Sequence, residues 1–198
     1  MSANDHIRPV RAALVILALQ SHLAFSAVEF LSGGYAAQCA QAASAEGDLK
    51  RLPATGSNLG LSVIEICTRA IQGWDRDIEG VAESFNNRGV LYFSSADYIH
   101  ALEDFESAVR KNPSLGQAHL NRGYALSALQ RWQESIDAIN TGISLTDEDA
   151  KAFYVRGIAH EELGNVRQAY LDYQRAANID PEWSEPREAL ARFSIRQD

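Results

Sequence analysis

From Phe85 to Pro181 the bulky apolar positions fall into stripes spaced three or four residues apart, broken at intervals by short polar turns. Phe85, Gly89 and Tyr92 stand at i, i+4 and i+7, one face of a helix, and Ala101, Phe105 and Ala108 repeat that spacing on the next segment. The spacing predicts a first helix over 82–94 and a second over 98–111. The pattern then recurs without a gap. The Arg-Gly pair at 88–89 returns at 122–123 and 156–157, a constant step of 34. The same step relates Tyr92, Leu126 and His160, then Ala101, Ser135 and Ala169. It also relates Phe105, Ile139 and Tyr173, and Ala108, Gly142 and Ala176. Self-similarity at a fixed period of this size marks an array of stacked helical hairpins. Pro113 and Pro181 lie two periods apart, with Asp147 between them. Asn112 and Asp180 therefore end second helices, because proline disfavours helical geometry in the residue before it.

Glycine inside a helix costs about 1 kcal/mol relative to alanine. Keeping Gly89, Gly123 and Gly157 in one column implies a steric need, a partner helix too close for a side chain. Ala101, Ala108, Ala169 and Ala176 are the small residues of the facing helices. After the third unit, 184–196 reads as one further helix, capped by Ser184, with Pro186 in its first turn and Leu190 and Phe193 on its apolar edge. Such an array needs a terminal helix to cover its last apolar face. Upstream, 59–73 reads as the second helix of a degenerate unit, with Val63, Cys67 and Ala70 in its columns. Its first helix is absent from the place the period demands, since 52–57 is loop-like. Residues 35–44 offer a short substitute helix, and 45–58 a loop.

These columns resemble the tetratricopeptide repeat, a family that favours an aromatic, Leu-Gly, Tyr, Ala, Phe, Ala and Pro at the same offsets. The resemblance covers 82–183. Arginine in place of leucine before each glycine departs from it, as do Ser135, Gly142 and the missing proline at 147. It implies an all-α, right-handed α-solenoid: repeats over 82–115, 116–149 and 150–183, a capping helix over 184–198, and an N-terminal extension with a half-repeat over 27–81. In that family the first helices line a concave groove that accepts a peptide or helix. Carried over by position, the groove is Asn86, Val90, Phe93, Leu120, Asn121, Tyr124, Lys151, Tyr154 and Ile158. One subfamily clamps a C-terminal carboxylate with five polar residues. This chain matches it at Asn121 and Lys151 but has Asn86, Val90 and Val155 at the other places, so the clamp is not expected. The opposing reading is that the groove residues merely cover the helices.

The formal net charge is −8, which offers no basic field for phosphates, so nucleic acid is not an expected partner. The first residues read as an address. Arg8 and Arg11 precede the apolar run 12–19, and small residues follow at 24–27. This order is that of a cleaved signal peptide over 1–26, placing the protein in a periplasm or outside the cell; an uncleaved anchor is the alternative. Eight apolar residues are too few to span a bilayer, which needs about 20. Export favours a disulfide between Cys39 and Cys67, the only cysteines, over two buried thiols.

Candidate chemistry is sparse. His160-Glu161-Glu162 lacks the second histidine of a metalloprotease motif, and Gly164 stands in its place. His160 and His119 occupy aromatic columns, which makes them packed histidines, and His100 is a surface residue. Residues 75–80 alternate oxygen donors before a glycine, as a calcium loop does, but Asn86 stands where the bidentate glutamate belongs. No catalytic residue, cofactor or metal is assigned. The arginine column has two readings: Arg88, Arg122 and Arg156 pair with Asp104, Asp137 and Asp172, or they form an exposed basic ladder. The expected function is a non-enzymatic adaptor for a protein or peptide, with self-association also open. An envelope folding factor with several clients is the alternative, and an undetected hydrolase or metal protein is the third reading.

Overall fold

The computed structural model describes residues 34–44, 62–72 and 78–194. The signal segment over 1–26, the loop over 45–58 and the last residues of the capping segment lie outside the described residues. Among the described residues there are nine helices and no strand. They are α1 (Gly34–Ser44), α2 (Val63–Ile71), α3 (Ile78–Ser94), α4 (Tyr98–Lys111), α5 (Gly116–Ala128), α6 (Trp132–Leu145), α7 (Ala150–Glu162), α8 (Val166–Ile179) and α9 (Ser184–Ser194). No helix among them is long and apolar enough to cross a membrane.

The chain stacks as an all-α solenoid. α3 pairs with α4, α5 with α6 and α7 with α8; each second helix then packs on the first helix of the next pair. α1 packs on both α2 and α3, and α9 closes the far end against α8. The α3 helix begins at Ile78, four residues ahead of the expected 82, so Ile78–Gly80 are helical and not part of a calcium loop.

The glycine column has the steric cause foreseen, with one correction. What comes closest is a side chain of the facing helix, with a backbone carbonyl, that of Ser135, also 3.2 Å from the Cβ position at Gly123. A Cβ at Gly89 would stand 2.6 Å from the Phe105 ring, one at Gly123 2.4 Å from Ile139 Cγ1, and one at Gly157 2.8 Å from the Tyr173 ring. Each bulky residue of a second helix thus lies in the notch of its own first helix, and Phe105, Ile139 and Tyr173 are 1% exposed or less. At Gly142 the relation is reversed: Leu120 fills the notch, 2.4 Å from where a Cβ would be.

Local signals set the helix ends. Ser62 and Glu65 form a capping box on α2, with the Glu65 N–H donating to Ser62 Oγ at 3.2 Å and the Ser62 N–H to Glu65 Oε2 at 2.9 Å. Asn112 and Asp180 adopt extended backbone before their prolines and end α4 and α8. Between the helices of each pair one residue turns left-handed, Ala96, Gln130 and Gly164 in successive repeats, with φ of 61°, 59° and 76°. The next residue's N–H then reaches back to the carbonyl of Tyr92, Leu126 or His160 at 2.8–2.9 Å, a Schellman-type closure.

The arginines are mostly structural. Arg88 donates twice to Asp104, at 2.7 and 2.7 Å, and Arg156 twice to Asp172, at 2.8 and 2.6 Å. Each also reaches the preceding second helix, Arg88 to Thr68 Oγ1 and Arg156 to Asn140 Oδ1. The pairing of Arg122 with Asp137 fails. Asp137 is exposed and accepts from Gln133, while Ala138 stands where the other repeats have aspartate. Arg122 instead faces Glu106 on the preceding helix, its Nε 3.8 Å away and without a hydrogen-bond partner.

In the half-repeat, α2 buries Ile66, Cys67 and Ala70, while Val63 is only half-buried. Cys39 of α1 and Cys67 of α2 form a disulfide, closing 28 residues. Such a loop adds about 3–4 kcal/mol in the chain-entropy account.

Candidate functional site

The first helices α3, α5 and α7 lie side by side, and α1 packs on α3. Between them is a cavity of about 280 Å³. Its apolar floor is Val90 and Phe93 of α3 and the ring of Tyr124 of α5. Ala40, Ala43 and Ser44 of α1 make one wall. Asp149 and Lys151, at the start of α7, close the opposite end.

Side-chain amides run across the cavity from one repeat to the next. Asn121 Nδ2 donates to Asn86 Oδ1 at 2.9 Å, joining α5 to α3. Gln117 Nε2 donates to Asn121 Oδ1 at 3.2 Å, one turn away on the same helix. Asn87 stands beside Asn86 and completes the row. An amide carries two donors and an acceptor with two lone pairs, so a partner can find both kinds of group here.

The other end is a fixed polar cluster. Tyr124 is 5% exposed, and its hydroxyl donates to Asp149 Oδ2 at 3.1 Å. Burial and the neighbouring Asp149 carboxylate push the Tyr124 pKa well up, so the phenol stays a donor. Asp149 Oδ1 caps α7 by accepting from the Lys151 N–H at 2.8 Å. The Lys151 ammonium lies over the Tyr124 ring, 4.8 Å from its centroid. This carboxylate already has two donors, and what the cavity presents is a set of amides, one cation and an apolar floor.

Six of the nine residues expected in the groove meet at this cavity: Asn86, Val90, Phe93, Asn121, Tyr124 and Lys151. The other three lie elsewhere. Leu120 is 1% exposed and fills the Gly142 notch in the core. Tyr154 and Ile158 pack against the cluster of Ala169, Tyr173 and Ala189 under the capping helix, and Tyr154 also meets Trp183 at 4.8 Å between ring centroids. Sequence reasoning missed the wall from α1, Asn87, Gln117 and Asp149. Asn87 had a signal, since it shares a column with Asn121.

His160 and Glu161 make structural contacts. The His160 ring approaches Asn165 at 3.4 Å, and burial lowers its pKa. Glu161 accepts from the Tyr173 hydroxyl at 2.7 Å and from Arg192 of α9 at 3.0 Å, tying the cap down. His119 is buried with Nε2 2.9 Å from the Pro113 carbonyl, and His100 is exposed beside Asp97.

Residues 150–182 match the family model of the tetratricopeptide repeat. DnaJ homolog subfamily C member 7 of Mus musculus is 29% identical over 106 residues, which cover 54% of this chain and 22% of that protein. The chain thus matches less than a quarter of that curated relative's length. Among solved structures, the Arabidopsis OM64 TPR domain superposes with a TM-score of 0.59 at 20% identity, covering 61% of this chain and 99% of that one. The first TPR of Spaghetti (RPAP3), bound to the HSP90 peptide SRMEEVD, does so at 0.57 and 24%, covering 62% and 97%.

Proposed function

We propose that this chain, which is a tetratricopeptide repeat protein, is a non-catalytic interaction module that docks a short, uncharged, extended segment of a partner protein in the cavity between α1, α3 and α5. The observation that carries this reading is the Asn121–Asn86 bridge, which sets amides of two successive repeats in one row along an apolar floor. An extended segment presents a donor or acceptor at every residue, and main-chain pairing with specificity from alternate side chains is a recurring mode of peptide recognition. Val90, Phe93 and Ala43 line the cavity with apolar surface, which suits an aliphatic side chain of that segment. The RPAP3 repeat was solved with an acidic peptide. Here Val90 and Val155 stand at two places where a carboxylate clamp would put polar groups, which favours an internal segment over a charged C-terminus.

The setting is exported, periplasmic or extracellular. The arginine-flanked apolar run over 12–19 and the Cys39–Cys67 disulfide support it.

The test is selection of a displayed peptide library on the full oxidised chain, followed by calorimetric titration of the winning synthetic peptide. The expected winner is neutral with one aliphatic anchor. Tyr124→Ala should weaken it at least about tenfold, as loss of a central interface aromatic typically does. Because Tyr124 also braces the fold, Asn87→Leu provides the check at a half-buried position and should weaken binding in the same direction. Unchanged affinity in both variants rejects the cavity as the docking site. Equal binding of many unrelated unfolded chains would favour the folding-factor reading.

A further inference from the structure

The wall that α1 gives to the cavity is held by its packing on α2 and α3 and by one covalent bond, Cys39–Cys67. α1 is 11 residues long, and an isolated helix shorter than about 12–15 residues is marginal in water. Its buried side chains are Cys39, Ala42 and Ala43, which remove little apolar area from water. α9 has the same length but is anchored differently. It docks through Ala189, Leu190 and Phe193 against Tyr173, Tyr154 and Ile158. Polar ties of α1 to its neighbours include Arg69 Nη1 donating to the Tyr35 hydroxyl at 3.3 Å on the exposed surface, and Cys39 Sγ lies 3.8 Å from the Ser84 carbonyl. α2, to which the bond ties it, is independently fixed through its capping box and the Thr68–Arg88 hydrogen bond.

We propose that oxidation of Cys39 and Cys67 completes the binding cavity: α1 stands as its wall only while the disulfide is closed, so the oxidised chain binds its partner and the reduced chain does not. This rests on the reading of the cavity as the docking site. With the bond open, Ala40, Ala43 and Ser44 leave the cavity, and Asn86, Asn87 and Val90 face water. The helices from α3 onward keep their own ion pairs and glycine notches, which do not involve α1.

The step is a two-electron exchange with a dithiol/disulfide couple: the couple's disulfide is the oxidant that closes the bond and is itself reduced to the dithiol, and opening runs the same exchange in reverse. A thiolate of a dithiol reductant attacks one cysteine sulfur, and the other cysteine leaves as thiolate and takes a proton. The second thiol of the reductant then displaces the first cysteine, leaving two cysteine thiols and an oxidised reductant. Cys39 and Cys67 are both 0% exposed, so this attack waits for α1 to lift. The bond therefore resists casual reduction once formed, and a chain whose cysteines meet an oxidising environment gains its site there and keeps it.

Two readouts on the full chain test this. Amide hydrogen exchange follows α1 directly, and calorimetry follows the peptide selected on the oxidised chain. In a Cys39→Ala/Cys67→Ala variant, and in the native chain reduced with dithiothreitol, the α1 amides should exchange at least about tenfold faster while α5 to α8 keep their protection. The peptide should bind about tenfold or more weakly to both. In the oxidised chain, Ala40→Trp should block the peptide while α1 stays protected, since Ala40 lines the cavity from the wall side and is exposed. Unchanged exchange on α1 after the bond is lost overturns the proposal, and so does unchanged peptide affinity. If no peptide binds even the oxidised chain, the docking reading fails, and the exchange measurement still decides the role of the bond in holding α1.

Discussion

Replacing Arg88 with leucine should lower unfolding stability by about 3–5 kcal/mol, because it strands a buried aspartate. The Asp104 side chain is 6% exposed and takes two charge-assisted hydrogen bonds from that guanidinium alone. Thr68 of α2 loses its contact with Arg88 in the same stroke. A urea melt reads the loss as a lower midpoint at an unchanged slope. Arg122→Leu gives the internal contrast. Its partner position holds Ala138, its nearest acid is Glu106 at 3.8 Å, and its Nε has no hydrogen-bond partner, so this change should cost less than about 1 kcal/mol. Arg88→Leu with Asp104→Leu should recover most of the loss, since replacing a buried pair by apolar groups is often neutral or stabilising by about 1–4 kcal/mol. An exposed basic ladder would behave otherwise: all three arginines would be equally dispensable for folding.

Phe105→Ala should cost a similar amount, about 3–5 kcal/mol, from lost burial and the void left over Gly89. The ring is 1% exposed and sits where a Cβ of residue 89 would be, 2.6 Å away. The two sites are therefore coupled, and the sign of one change depends on the other. In the native chain, Gly89→Ala should be destabilising, since overpacking costs about 1–3 kcal/mol against a helix-propensity gain of about 1 kcal/mol. In the Phe105→Ala background the new methyl enters empty space, and the same substitution should stabilise by about 1 kcal/mol. Gly80→Ala should stabilise in either background, because no atom lies within 4 Å of its Cβ position. A double-mutant cycle on Gly89 and Phe105 that gave additive effects would remove the notch from the account of this fold.

The sequence announces this fold because each repeat solves the same packing problem with the same residues. Gly89, Gly123 and Gly157 are visible only through their spacing, and the residues that fill their notches share a column for the same reason. The left-handed turns at Ala96, Gln130 and Gly164 recur just as regularly, yet they escape notice because three unlike residues adopt them. Backbone closure there is enforced by the helix pair, not by glycine. The pairing of Arg122 with Asp137 is misread because a one-residue slip on a helix turns a side chain away; the facing position is Ala138.

The site is less legible than the scaffold. Position within a repeat finds Asn86, Asn121, Tyr124 and Lys151, since the first helices repeat their orientation. It misleads at Leu120, where Gly142 opens a core notch that a larger residue would close. It misleads again at Tyr154 and Ile158, because the neighbour of the last repeat is a capping helix with its own apolar edge. The wall from α1 has no periodic signature. It sits ahead of 45–61 in the chain and reaches the cavity by packing on α2 and α3, with the Cys39–Cys67 bond joining it to α2, contacts that spacing alone does not place.

The central claim is that a partner segment lies between α1, α3 and α5. Amide chemical shifts of the oxidised chain, recorded while the selected peptide is titrated, test it most directly. The account predicts that saturating shifts gather at Ala43, Asn87, Val90, Phe93, Asn121 and Lys151, and that the exposed apolar residues of α8, Val166, Tyr170 and Leu171, stay still. Shifts gathered on α8, with the α1–α3–α5 cavity unmoved at saturation, would contradict it.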